Sequence, residues 1–74
     1  MRRYVLKKNN LYLCEILFYH NEIEFIQFDK ELRLLYDDIE KAHYDKQMIK
    51  NDLGLELNLE ICKEVENEIQ SINE

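Results

Sequence analysis

The sequence predicts an α+β fold, β-β-β-α-β: a hairpin extended by a third strand, then one capped helix and a closing strand. Three observations carry this. Apolar residues recur in strand-like runs through residues 3–28, broken at Asn9-Asn10 and Asn21-Glu22. Asp37 and Glu40 then stand three apart in capping-box form, and Leu53-Gly54 closes the helical stretch after them. After Gly54, alternation resumes in Leu55, Leu57, Leu59 and Ile61.

Residues 3–8 form the first strand. Asn9-Asn10 turns the chain because Asn tolerates the positive φ of a tight hairpin. Residues 11–20 return, and Asn21-Glu22 turns again into a third strand over residues 23–28. Asp29 is placed to cap a single turn over residues 30–33, with 34–36 an extended lead. In the capping box, the Asp37 carboxylate accepts from the Glu40 N–H and the Glu40 carboxylate reaches back to the Asp37 N–H. The helix then spans residues 38–53, and Gly54 ends it because glycine enters the left-handed conformation without steric cost. Residues 55–62 are the closing strand. One domain covers residues 1–65; residues 66–74 are a polar tail or short helix, with Val65, Ile69 and Ile72 at helical spacing.

A rival architecture, a hairpin or meander followed by two antiparallel helices, rests on a different period. Leu32, Leu35, Ile39, Ala42, Lys46, Ile49 and Leu53 follow 3-4 spacing, which would make one helix of residues 30–53. Ile61, Val65, Ile69 and Ile72 would lie on the second. The clean alternation from Leu55 to Ile61 favours the strand.

A chain of 74 residues buries only about 60% of its unfolded surface, so its core is thin. Its net charge is −6 and unevenly spread. Arg2, Arg3, Lys7 and Lys8 outweigh Glu15 in residues 1–21, whereas the remainder is strongly acidic. That balance opposes nucleic-acid binding, and no apolar run suits a membrane span or signal peptide. Two cysteines, Cys14 and Cys62, are too few for a disulfide scaffold and point to reduced thiols in a cytoplasmic protein.

The long second strand is apolar on both faces. Strict alternation sends Leu11, Leu13, Leu17 and Tyr19 one way and Tyr12, Cys14, Ile16 and Phe18 the other. Ile23 and Phe25 are likewise set opposite Ile26 and Phe28. One helix covers one sheet face, so the tail helix, a second copy or a partner must cover the other, and a homodimer through Tyr12, Ile16 and Phe18 is expected.

No constellation for catalysis emerges. Cys14, His20, His43 and Cys62 lack the paired spacing of a zinc site, and neither cysteine has a basic neighbourhood to stabilise a thiolate. Ser71 is the sole serine, threonine is absent, and there is no Gly-rich phosphate loop. The expectation is a protein without enzymatic activity, metal or cofactor. On the helix, Ile39, Ala42, Ile49 and Leu53 should meet the sheet, with Lys46 snorkelling from their stripe and His43 at its border. Tyr44 and Met48 lie nearly opposite, flanked by Asp37, Lys41, Asp45 and Asp52. Tyr44, Met48, Asp37, Asp45 and Asp52 thus form a candidate partner-binding face, an apolar anchor amid mainly acidic charge suited to a basic protein surface. The alternative is a nucleic-acid contact through Arg2, Arg3, Lys7 and Lys8, with Tyr4 and Tyr12 as stacking surfaces.

The run Tyr4-Val5-Leu6-Lys7-Lys8-Asn9-Asn10-Leu11-Tyr12-Leu13, with Leu34-Leu35-Tyr36-Asp37-Asp38-Ile39-Glu40-Lys41-Ala42 and Leu53-Gly54-Leu55-Glu56, resembles small phage and prophage proteins of low-GC Gram-positive bacteria. In those chains a basic hairpin precedes an Asp-Asp-x-Glu-x-Ala helix start and a closing strand. The resemblance spans most of residues 4–61, and its motifs describe a fold, with no catalytic residues to carry over. It implies an accessory product of a bacterial cytoplasm. By analogy with anti-CRISPR and other anti-defence inhibitors, it suggests inhibition of a host nuclease or defence protein.

Overall fold

The chain forms β1 (Tyr4–Lys8), β2 (Leu11–Tyr19), β3 (Glu22–Asp29), α1 (Ile39–Leu53) and β4 (Asn58–Ile61), in a computed structural model that describes residues 2–62. The expected β-β-β-α-β order is present. The sheet is antiparallel throughout, in the order β3-β2-β1-β4, so the closing strand lies beside the first. The tail with Val65, Ile69 and Ile72 lies outside the described residues.

The first turn falls where predicted, with Asn9 at φ 57°. The second is centred one residue early, on His20 and Asn21, at φ 52° and 65°. Two successive positive φ values give the twist that matches a two-residue hairpin. His20 therefore leaves the strand for the turn, where its ring meets Tyr19 edge to face at 4.1 Å.

Strict alternation in β2 and β3 is overturned by two bulges. Leu13 pairs with Phe28 and Glu15 with Gln27, which leaves Cys14 as an extra residue in β2. Leu17 pairs with Phe25 and Phe18 with Ile23, which leaves Glu24 extra in β3. Each extra residue reverses the parity of the strand beyond it. As a result Leu13 and Ile16 both join the core, as do Ile23, Ile26 and Phe28. Tyr12, Leu17, Tyr19 and Phe25 are left on the opposite face. The Cys14 thiol donates to the Gln27 carbonyl oxygen at 3.3 Å, which ties the bulge to the partner strand.

The bulge also parts β2 from β1. These two strands pair only Lys7 with Tyr12 and Lys8 with Leu11. Beyond that, residues 34–36 hydrogen-bond into the divergence. The Leu34 N–H donates to the Leu13 carbonyl at 2.8 Å; Tyr4 and Tyr36 exchange bonds of 2.8 and 2.9 Å. This sheet-like bonding excludes a helix over residues 30–53, the rival architecture. Asp29 still caps: its carboxylate accepts from the N–H groups of Glu31 and Leu32 at 2.7 and 2.9 Å, but no helical turn forms after it. Those two bonds, Leu32's first, hold the Asp29 carboxyl below its ordinary value.

Helix α1 begins one residue later than expected. Asp38, not Asp37, is the N-cap, accepting from the Glu40 N–H at 2.9 Å. Asp37 instead pairs with Arg3 at 3.1 Å. Gly54 closes the helix at φ 67°, its N–H donating to the Lys50 carbonyl at 2.9 Å. Packed on β1 and β4, α1 shares a core of Leu6, Leu13, Tyr36, Ala42, Ile49 and Leu57. The closing strand is shorter than the predicted 55–62: β4 pairs over Asn58–Ile61, and buried Leu57 leads into it.

Candidate functional site

The buried face of α1 is Ala42, Asp45 and Ile49, spaced i, i+3, i+7. Ile39 and Leu53, expected to meet the sheet, are 42% and 46% exposed, and His43 is exposed as well. Lys46 is half-buried, in keeping with a stem packed along the stripe. The expected surface position of Asp45 is overturned: it is 4% exposed. Its carboxylate accepts from the Tyr36 hydroxyl at 2.7 Å and from Lys41 Nζ at 2.9 Å. Burial first, then the hydrogen bond and charge of Asp45, push the Tyr36 hydroxyl far above its ordinary value, so it remains a donor. Asp45 is therefore an interior anchor for residues 34–36, and it leaves the candidate docking face.

Asp37 leaves that face too, held at the other end of the helix by Arg3. Tyr44, Met48 and Asp52 stay together. With Gln47 and Asn51 they line a shallow depression of about 230 Å3. A second depression, about 410 Å3, is lined by Glu22, Ile23, Asn51, Asp52 and Leu53. The two share Asn51 and Asp52, so they form one trough from the exposed flank of α1 to the β2–β3 turn. Tyr44 is 63% exposed at one end, with Lys41 Nζ 5.2 Å from its ring centre, and Leu53 stands open at the other. Asp52 and Glu22 are the charged residues of its lining, and the Lys41 ammonium stands at its Tyr44 end. Sequence reasoning found the helix half of this site by its i, i+4 spacing. It missed Glu22 and Ile23, which no local signal connects to the helix.

Of the residues expected to form a self-association face, Ile16 and Phe18 share one side of the sheet and Tyr12 does not. Ile16 packs against the core, whereas Tyr12 is on the other face, and the bulge at Cys14 separates them. Phe18 pairs with Ile23 on the helix side and is half exposed.

A larger depression, about 590 Å3, opens beside Val5, Lys7, Tyr12, Glu60 and Cys62. Its charges are matched internally. Lys7 pairs with Glu60 at 3.7 Å and stands 5.1 Å over the Tyr12 ring, which Arg33 also approaches at 5.8 Å. Cys14, His20, His43 and Cys62 are not brought together, and among the described residues no three His, Cys, Asp or Glu side chains converge as metal ligands would. No helix among those residues is long and apolar enough to cross a membrane. Comparison with protein-family models, curated proteins and solved structures finds no match to this chain.

Proposed function

We propose that this chain is a non-enzymatic protein-binding module that offers an acidic, apolar-anchored trough to a basic surface of another protein. The observation that carries the reading is the trough between α1 and the β2–β3 turn. Tyr44, Met48, Leu53 and Ile23 supply apolar contact there, and Asp52 and Glu22 supply negative charge, with Lys41 at the Tyr44 end. Aromatic anchors within a polar surround are the usual centres of binding energy, and complementary charge steers the encounter. The phage resemblance narrows the partner class. A host nuclease or defence protein handles nucleic acid and must expose a basic surface, so a phage-encoded inhibitor could occupy that surface in the bacterial cytoplasm.

The competing nucleic-acid reading is weakened by the same geometry. Arg3 and Lys7 are engaged with Asp37 and Glu60, so the basic residues in and just before β1 present less free charge than their number suggests. A pull-down from bacterial lysate tests the proposal. A specific partner should elute between about 0.2 and 0.5 M salt, since surface attraction is largely screened there. Tyr44→Ala and Asp52→Lys should each abolish its recovery while the protein stays folded. Recovery unchanged by both substitutions would reject the trough as the site.

A further inference from the structure

The distal half of the β2–β3 hairpin is an arm. Beyond Leu13, β2 leaves β1, and β3 is the outer strand of the sheet. Among the described residues nothing pairs with the outer edge of β3. Two-stranded ribbons are marginal in water, and open edges are normally blunted by Lys, Pro or a bulge. Of these β3 has the bulge at Glu24 alone, and no Lys or Arg lies anywhere in residues 9–29. The arm carries Glu15, Glu22, Glu24 and Asp29 instead. On its face away from the helix, Leu17 and Phe25 pair directly across the strands and stay 36% and 46% exposed.

From this we infer that the outer edge of β3 receives a basic, extended segment of a partner protein as an added strand, its apolar side chains seated beside Leu17 and Phe25. Charge selects this occupant over a second copy of the chain. A full-length twofold pairing of β3 with itself would set Glu22 against Asp29 at both ends, with Glu24 opposite Gln27 and no base to offset it, and facing like charges destabilise strand pairs. A segment alternating Lys or Arg with apolar residues reverses that sign. Main-chain hydrogen bonds along the edge would supply affinity and the side chains specificity, as in strand addition generally. The inference deepens the acidic-module reading and rests on it for the kind of partner.

The test uses an eight-residue peptide alternating lysine and valine, its glutamate–valine counterpart, and a lysine–valine peptide N-methylated at alternate residues. Each is titrated into the full chain and followed by amide NMR and hydrogen exchange. The lysine–valine peptide should bind, protect outward β3 amides and shift Phe25. The N-methylated and acidic peptides should bind at least about tenfold more weakly. Phe25→Ser and Glu24→Lys, both outside the trough, should each weaken binding about tenfold without unfolding these exposed sites. Equal binding by the N-methylated peptide, or none by the parent, would overturn strand addition. A dimer by light scattering that Phe25→Ser dissociates would overturn it in favour of a second copy. Peptide shifts confined to Met48 and Asn51 would leave the trough reading standing and reject the edge. A β3 response unaffected by Tyr44→Ala, with no lysate partner lost in that variant, would do the reverse.

Discussion

At the scale of single residues, the side chain that most changes its meaning is Asp45. As the i+4 neighbour of Lys41 on a charged helix it looks like a solvated acid. In the fold it is a buried acceptor shared by Tyr36 and Lys41. A buried carboxylate is tolerable only when its oxygens are satisfied, and here both are, one by a hydroxyl and one by an ammonium. Asp45→Ala leaves the Tyr36 hydroxyl buried without its acceptor, so it should lower stability by about 1–3 kcal/mol in urea unfolding. Asp52→Ala, on the exposed flank, should stay within about 0.5 kcal/mol of the parent. Equal effects would place Asp45 at the surface.

At the scale of elements, neighbouring acids divide the work at the start of α1. Asp38 satisfies an orphan N–H of the first turn, whereas Asp37 makes an exposed ion pair with Arg3. Asp38→Ala should therefore cost about 1 kcal/mol, and Asp37→Ala no more than a surface pair is worth, about 0–1 kcal/mol and diminishing with salt. Thermal unfolding at low and high salt separates them: the first effect persists and the second fades. The two acids also show how legible the helix is in the sequence. Both ends are predictable within a residue, because capping acids and a glycine stop are local chemistry. The identity of the cap is not, since Asp37 and Asp38 are equivalent until Arg3 arrives from the region of the first strand.

For the molecule as a whole, the buried core and the exposed large apolar side chains of the β2–β3 arm fall in two regions. Leu6, Leu13, Ile49 and Leu57 are fully buried where the helix crosses the sheet, while Leu17, Phe18, Tyr19 and Phe25 stand exposed on the arm. Leu13→Ala should cost about 2–5 kcal/mol, a large part of the stability of so small a domain. Phe25→Ser should shift the unfolding midpoint little, within about 1 kcal/mol. A large loss from Phe25→Ser would mean that the arm belongs to the core. A small loss from Phe25→Ser would agree with the proposed role of the arm as a binding surface.

The sequence by itself determined whatever depends on near neighbours. That includes the order of strands and helix, the Asn turn, the capped start, the glycine stop, and the Tyr44–Met48 pair with Asp52. Only the tertiary structure decided which residues face inward on β2 and β3. A one-residue bulge reverses every later side chain, and Cys14 and Glu24 carry no local mark distinguishing them from regular strand positions. Tertiary contact likewise moved Asp45 inside, through a tyrosine nine residues away, and joined the helix half of the trough to Glu22 and Ile23. Period and capping are set by bonds a few residues long; burial and surface continuity depend on distant partners, and those exist only once the chain has folded.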